Sequence, residues 1–135
     1  AGLRLFARGA VREGPGDNVW VSVVGGLPDS PGFALCGASY AGLRATKLDR
    51  PAELPCSVVG RCCESGDIIQ EHVLLPGSVG RGDMQAVGTT GGYSYPMASN
   101  YNRLHRTPIV MLRGGNESYV ALRRESLEDL CRHDL

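Results

Sequence analysis

The spacing of glycine and proline is what most constrains this chain. Nineteen glycines and eight prolines fall in short clusters between runs rich in Val, Leu and Ala. Such punctuation predicts many short strands joined by tight turns. Residues 3–11 set Leu3, Leu5 and Ala7 against Arg4, Phe6 and Arg8, the period-two alternation of a strand. Gly14-Pro15-Gly16-Asp17-Asn18 is a turn cluster, and Val19-Trp20-Val21-Ser22-Val23-Val24 is a second, nearly all-apolar strand. Together they predict a hairpin.

The same reading runs to the end of the chain. Gly25-Gly26 ends the second strand, and residues 27–33, with two prolines, are irregular. Residues 34–46 fit either a short helix or a strand around Tyr40, and residues 47–55 read as a polar loop. Residues 56–60, 67–75 and 84–87 are further strands, the last two separated by Pro76-Gly77 and an Arg81-Gly82-Asp83 turn. Residues 107–113 and 117–123 form the clearest hairpin, turning at Gly114-Gly115-Asn116 and tolerating Pro108 at a strand start. Ser126-Leu127-Glu128-Asp129 is a capping-box variant that opens a short helix over residues 127–133. The predicted fold class is all-β: one domain over residues 1–135, an antiparallel β-barrel of Greek-key type with about seven strands and a short C-terminal helix.

Charge and cysteine usage narrow the function. Lys plus Arg and Asp plus Glu each number 14, for a net charge of zero. This predicts neither nucleic acid nor membrane as partner. No apolar run reaches the ~18 residues of a membrane helix, and the first residues lack the apolar core of a secretion signal. The five cysteines, Cys36, Cys56, Cys62, Cys63 and Cys131, show no CxxC pair or Cys/His zinc spacing, so no metal site is expected. Free thiols fit a cytoplasmic protein. Adjacent Cys62 and Cys63 are poorly placed to bridge each other.

Three stretches have the composition of a site. Cys63-Glu64-Ser65-Gly66-Asp67 places a thiol beside a carboxylate, and its Ser-Gly-Asp turn projects both side chains from one rim. Gly91-Gly92-Tyr93 and Met97-Ala98-Ser99-Asn100-Tyr101-Asn102 follow. Each has a plainer reading. Cys63-Glu64 is then only a turn, Tyr93 an aromatic packed on Met97, and Asn100-Tyr101-Asn102 a hydrogen-bonded loop. Arg103 and Arg106 either hold an anion or belong to a solvated loop. His72, His105 and His133 have no partner spacing and read as surface residues.

With these motifs in this order, the chain resembles the C-terminal barrel domain of diaminopimelate decarboxylases, in the alanine-racemase-like class of pyridoxal-phosphate enzymes. The resemblance extends over nearly the whole chain. It implies that Cys63 is catalytic, projecting across a dimer interface to handle the proton that replaces the lost carboxylate. It implies that Glu64 binds the distal amino end of the substrate, and that Tyr93 contacts the substrate or the cofactor phosphate. The chemistry suits these roles: a thiol can act as an acid, a carboxylate matches an ammonium, and a phenol donates without adding charge. Pyridoxal phosphate is expected only through a partner, a cofactor-binding α/β barrel or the second copy of a homodimer. The sole lysine, Lys47, lies in a polar loop outside any matching motif, so this chain is not expected to bind the cofactor covalently.

Two departures from the family pattern stand out. Val24 takes the place of an aspartate before Gly25-Gly26. Gly32-Phe33-Ala34-Leu35-Cys36 stands where the family has Arg-Pro-Ala-Leu-Tyr, so Gly32 and Cys36 replace the arginine and tyrosine that bind a substrate carboxylate. The expected function is the barrel half of a decarboxylase-like enzyme of amino-acid metabolism, completing a site with a separate cofactor-binding chain. Two alternatives are a barrel recruited without the cofactor, as a small enzyme or ligand-binding protein in specialised metabolism, and a non-catalytic interaction module.

Overall fold

A computed structural model describes residues 3–13, 18–40 and 42–135. In chain order its elements are β1 (Leu3–Glu13), β2 (Val19–Val23), helix α1 (Gly32–Cys36), β3 (Gly42–Arg44), β4 (Leu54–Val59), β5 (Ile68–Leu75) and β6 (Met84–Gly88). A 3-10 turn at Tyr101–Arg103, β7 (Ile109–Arg113), β8 (Glu117–Leu122) and helix α2 (Leu127–Cys131) follow. The chain forms two compact units, residues 1–98 and residues 99–135.

The first unit is one six-stranded sheet in the order β3-β6-β1-β2-β4-β5. Alternation buries one face. Val21 and Val23 of β2, Cys56 and Val58 of β4, and Ile69 and Leu75 of β5 meet Val79 and Val87 in a single core cluster. The predicted hairpin of β1 and β2 is present as an antiparallel pair. The turn cluster expected between them lies, apart from Asn18, outside the described residues. Segment 34–46, open between helix and strand, contains both: α1 and the short β3. Gly37 ends α1 in the left-handed region at φ 61°, its N–H donating to Phe33 O at 2.8 Å.

One expectation is met in part and another needs correction. The mainly-sheet class holds, but no closed barrel is found among the described residues. The end strands β3 and β5 approach each other without a ladder, and the side-chain amide of Gln70 on β5 bridges toward the backbone carbonyl of Tyr40, just before β3. The pairing is also not antiparallel throughout, because β2 and β4 run parallel. Residues 24–53, which carry α1 and β3, are the long return that a parallel pair needs. The register of β4 and β5 slips between Cys56 and Val58, and nearby His72 takes φ 52°. Val73 and Leu75 lie at the core cluster on the far side of this irregularity.

In the second unit β7 and β8 form the expected hairpin. Its turn uses Gly114 at φ 60° and Gly115 at φ 84°, a conformation that costs other residues roughly 1 kcal/mol. Ser126 caps α2 through the predicted box: Asp129 N donates to Ser126 Oγ at 3.2 Å, and Ser126 N donates to Asp129 Oδ2 at 2.8 Å. The helix closes at Cys131, two residues short of the predicted end.

Candidate active site

Strand direction decides where the motifs go. Because β1 is antiparallel to both β2 and β6, while β4 is parallel to β2, the strands β2, β4 and β6 all point the same way. Their C-terminal ends therefore open on one edge of the sheet. That edge carries the segment after Val23, with Gly25-Gly26 and α1, the loop from Gly60 to Asp67, and the segment after Gly88 that holds Tyr93. Cys63, Glu64, Tyr93 and the Gly32–Cys36 segment thus all follow strand ends that open on this edge, which is called the rim, although β1 and β2 stand between β4 and β6.

The loop after β4 is folded by its own motif. Gly60 N donates to Asp67 O at 2.8 Å, and Asp67 N to Glu64 O at 3.0 Å, so the two ends of the loop are pinned. Glu64 Oε1 accepts from Gly66 N at 3.1 Å and from Ser65 Oγ at 3.2 Å. These bonds hold the carboxylate over the Ser-Gly turn while leaving Glu64 and the Cys63 thiol exposed. Asp67 does the opposite. It is 3% exposed, and its two oxygens accept from Leu27 N at 2.5 Å and Cys62 N at 2.6 Å.

This contact also explains two glycines of the rim. A Cβ on Gly26 would lie 2.7 Å from an oxygen of the Asp67 carboxylate, and one on Gly60 would lie nearer still. The buried role of Asp67 was not visible in the sequence beyond its place in a turn. The signal that could have found it is the pair of separated positions, Gly26 and Gly60, which tolerate no side chain.

Tyr93 stands 80% exposed with φ 63°, so the backbone presents its phenol to solvent instead of packing it on the sheet. The turn around it is closed by Met97 N donating to Tyr93 O at 3.0 Å. At Gly32, the departure from the family pattern has a physical counterpart. The Tyr40 hydroxyl occupies the place where a side chain at residue 32 would start, and Cys36 is exposed at the end of α1. Residues 24–40 include no Lys, Arg or His.

Lys47 lies at the opposite edge, where β3 ends and β6 begins. Its Nζ pairs with Asp83 Oδ2 at 2.8 Å and donates to Ser78 O at 2.6 Å. It pins two loops and has no access to the Cys63 rim.

The Asn motif belongs to the second unit and is a bonded loop, as its plainer reading expected. Asn100 Nδ2 donates to Leu104 O at 3.0 Å and to Glu125 Oε2 at 2.5 Å, and Arg106 N donates to the same oxygen at 2.8 Å. Burial tends to raise the Glu125 pKa, but the Arg106 N–H, the Asn100 amide and the Arg106 charge outweigh it and hold the carboxyl below its ordinary value. Arg106 also faces Glu125 Oε1 at 3.6 Å, and Arg103 pairs with Asp134 at 2.5 Å. Both arginines proposed for an anion are therefore matched by carboxylates. Among the described residues no group of His, Cys, Asp and Glu could hold a metal ion.

Comparison with known proteins agrees with this architecture. Residues 7–91 match the family model described as the pyridoxal-dependent decarboxylase C-terminal sheet domain. The chain is 44% identical to a diaminopimelate decarboxylase of Actinosynnema pretiosum subsp. auranticum, over 100% of this chain and 30% of that one. It is 38% identical to the enzyme of the same name from Bacillus subtilis, with the same coverage. The solved diaminopimelate decarboxylase of Helicobacter pylori complexed with L-lysine superposes with a TM-score of 0.86 at 29% identity, covering 96% of this chain and 31% of that one. The M. jannaschii enzyme, also solved with L-lysine, gives 0.91 at 27% identity over 100% and 30%. The chain thus spans about 30% of the length of the curated relatives it matches.

Proposed function

The chain belongs to the family of C-terminal sheet domains of pyridoxal-dependent decarboxylases, and from that membership we propose that its rim completes an active site where an amino acid loses its α-carboxylate. The observation that supports this reading is the common direction of β2, β4 and β6, so that the Cys63-Glu64 loop and the segment holding Tyr93 both follow strand ends on the same side. The other half of the site is a cofactor-binding α/β barrel domain outside these 135 residues. The substrate class follows the relatives, which are named diaminopimelate decarboxylases.

The residues present fit a pyridoxal phosphate held mainly by that other half. Tyr93 offers an exposed phenol on a fixed backbone and would donate to the phosphate without altering its charge. Lys47 is bonded at the opposite edge, so no lysine of this chain reaches the rim to hold the cofactor covalently. When bound, the cofactor supplies the sink for the electron pair that decarboxylation leaves behind. Cys63 delivers the proton that takes the place of the carboxylate, and its exposure on the rim suits reaching into a site outside this chain. Glu64 receives the ammonium at the far end of the substrate as a charge-assisted hydrogen bond.

A second reading is favoured by Gly32, Cys36 and the Tyr40 hydroxyl above Gly32. With no cation in residues 24–40, a distal substrate carboxylate would find no guanidinium on this segment. Missing such an anchor weakens binding by about 1.5–3 kcal/mol. In that reading the same scaffold serves a different small ligand.

The test is to co-express the chain with the cofactor-binding barrel of a relative and measure carbon dioxide release from meso-diaminopimelate. Cys63→Ala is expected to lower kcat by about a hundredfold or more while leaving the circular dichroism spectrum unchanged. An unaltered kcat in the folded variant would remove Cys63 from the chemistry. Absence of both complex and activity with the unsubstituted chain would favour the second reading.

A further inference from the structure

We propose that Asp67 is a positioning residue that aims the Cys63-Glu64 pair and couples it to the segment after β2. The inference rests on the reading that this pair works at the rim, and adds a residue that never reaches the surface.

The argument is geometric. A buried carboxylate is tolerated only where its lone pairs are met by donors. Asp67 meets two backbone N–H groups from segments 35 residues apart: Leu27 N on one oxygen at 2.5 Å and Cys62 N on the other at 2.6 Å. The Cys62 bond fixes the backbone N–H of the residue immediately before Cys63. The backbone bond from Asp67 N to Glu64 O at 3.0 Å fixes the residue immediately after it. The thiol is therefore held from both sides by one residue. The Leu27 bond ties the same residue to the chain just beyond Gly25-Gly26, which leads into α1. Gly26 and Gly60 supply the close approach, since a Cβ at either would enter the carboxylate.

The chemistry predicts that no simple substitute will serve. Asparagine keeps one acceptor oxygen but turns an NH2 toward the second N–H, so one bond is replaced by a donor facing a donor. Glutamate adds a methylene to a cradle that already excludes a Cβ. Charge-assisted bonds of this kind are stronger than neutral ones, so the loop should loosen where Asp67 holds it.

The test reads Cys63 without substrate or cofactor. In a Cys62→Ser background, the rate of Cys63 alkylation by iodoacetamide is followed against pH by mass spectrometry. Asp67→Asn is expected to change that rate by about fivefold or more and to shift its pH profile, as is Gly60→Ala, which leaves the aspartate in place. Gly66→Ala is the control, because a Cβ there meets only Glu64 Oε1 at an ordinary 3.6 Å. It should leave the rate within about twofold of the parent. A folded Asp67→Asn chain with an unchanged rate and profile overturns the proposal. If that variant does not fold, the unsubstituted chain decides: the Leu27 and Cys62 amides should be protected together in hydrogen exchange, and free exchange of either overturns it. Because alkylation needs no decarboxylation, failure here is distinct from failure of the proposed reaction.

Discussion

At the scale of single residues, the rim shows two carboxylates with opposite roles four positions from the thiol or fewer. Glu64 is outside and accepts from the neighbouring Ser65 and Gly66, while Asp67 is inside and spent on backbone N–H groups. Composition marked both as part of one motif and could not separate them, because burial depends on Leu27 and Gly26, which arrive from a different strand. Tyr93 makes a sharper prediction. A non-glycine residue at φ 63° carries strain of order 1 kcal/mol, and an exposed phenol returns little of it by packing. Tyr93→Gly should therefore raise the unfolding free energy by roughly 0.5–1 kcal/mol in urea. It should at the same time weaken cofactor retention in the assembled enzyme. A destabilised Tyr93→Gly would show that the ring packs on something that its exposure does not reveal.

At the scale of elements, local signals were legible and long-range ones were not. The two hairpins, the Gly114-Gly115 turn and the Ser126 box are each written within a few residues, so the pattern of turn chemistry located them. The parallel pairing of β2 with β4 joins residues that thirty intervening positions separate, and no nearby residue encodes it. Helix α1 was ambiguous because five residues are too few to show a helical period. Its clearest marker is Gly37, which supplies the left-handed cap. Packing then provides a measurable scale. Ile69 is fully buried in the cluster shared by β2, β4 and β5, and Ile69→Ala should cost about 2–5 kcal/mol by chemical denaturation. Ser126→Ala removes only a cap and should cost about 1 kcal/mol, read as loss of amide protection confined to α2.

At the scale of the molecule, the two units draw on different interactions, and pH should reveal it. The sheet unit is held by an apolar cluster, whereas residues 99–135 rely on carboxylates. The Arg103 guanidinium lowers Asp134, the Arg123 guanidinium and the Ser126 N–H hold Asp129 far below the ordinary range, and Glu125 is lowered as well. A depressed carboxyl stabilises the folded form above its ordinary value and loses that contribution as pH falls through the lowered one. Acidification below the ordinary 3.8 to 4.5 should therefore loosen residues 99–135. In a carbon-detected NMR titration these three carboxyls should titrate below their reference values, and one titrating at or above its reference would contradict the network described. The common direction of β2, β4 and β6 has a practical consequence as well. Every loop that carries candidate chemistry leaves one edge of the sheet, so the other edge, with the exposed Arg81-Gly82 turn, is available as a handle. A fluorophore, a surface tether or a fused binding module attached there would report on the rim, or bring it to a chosen target, without standing in its way.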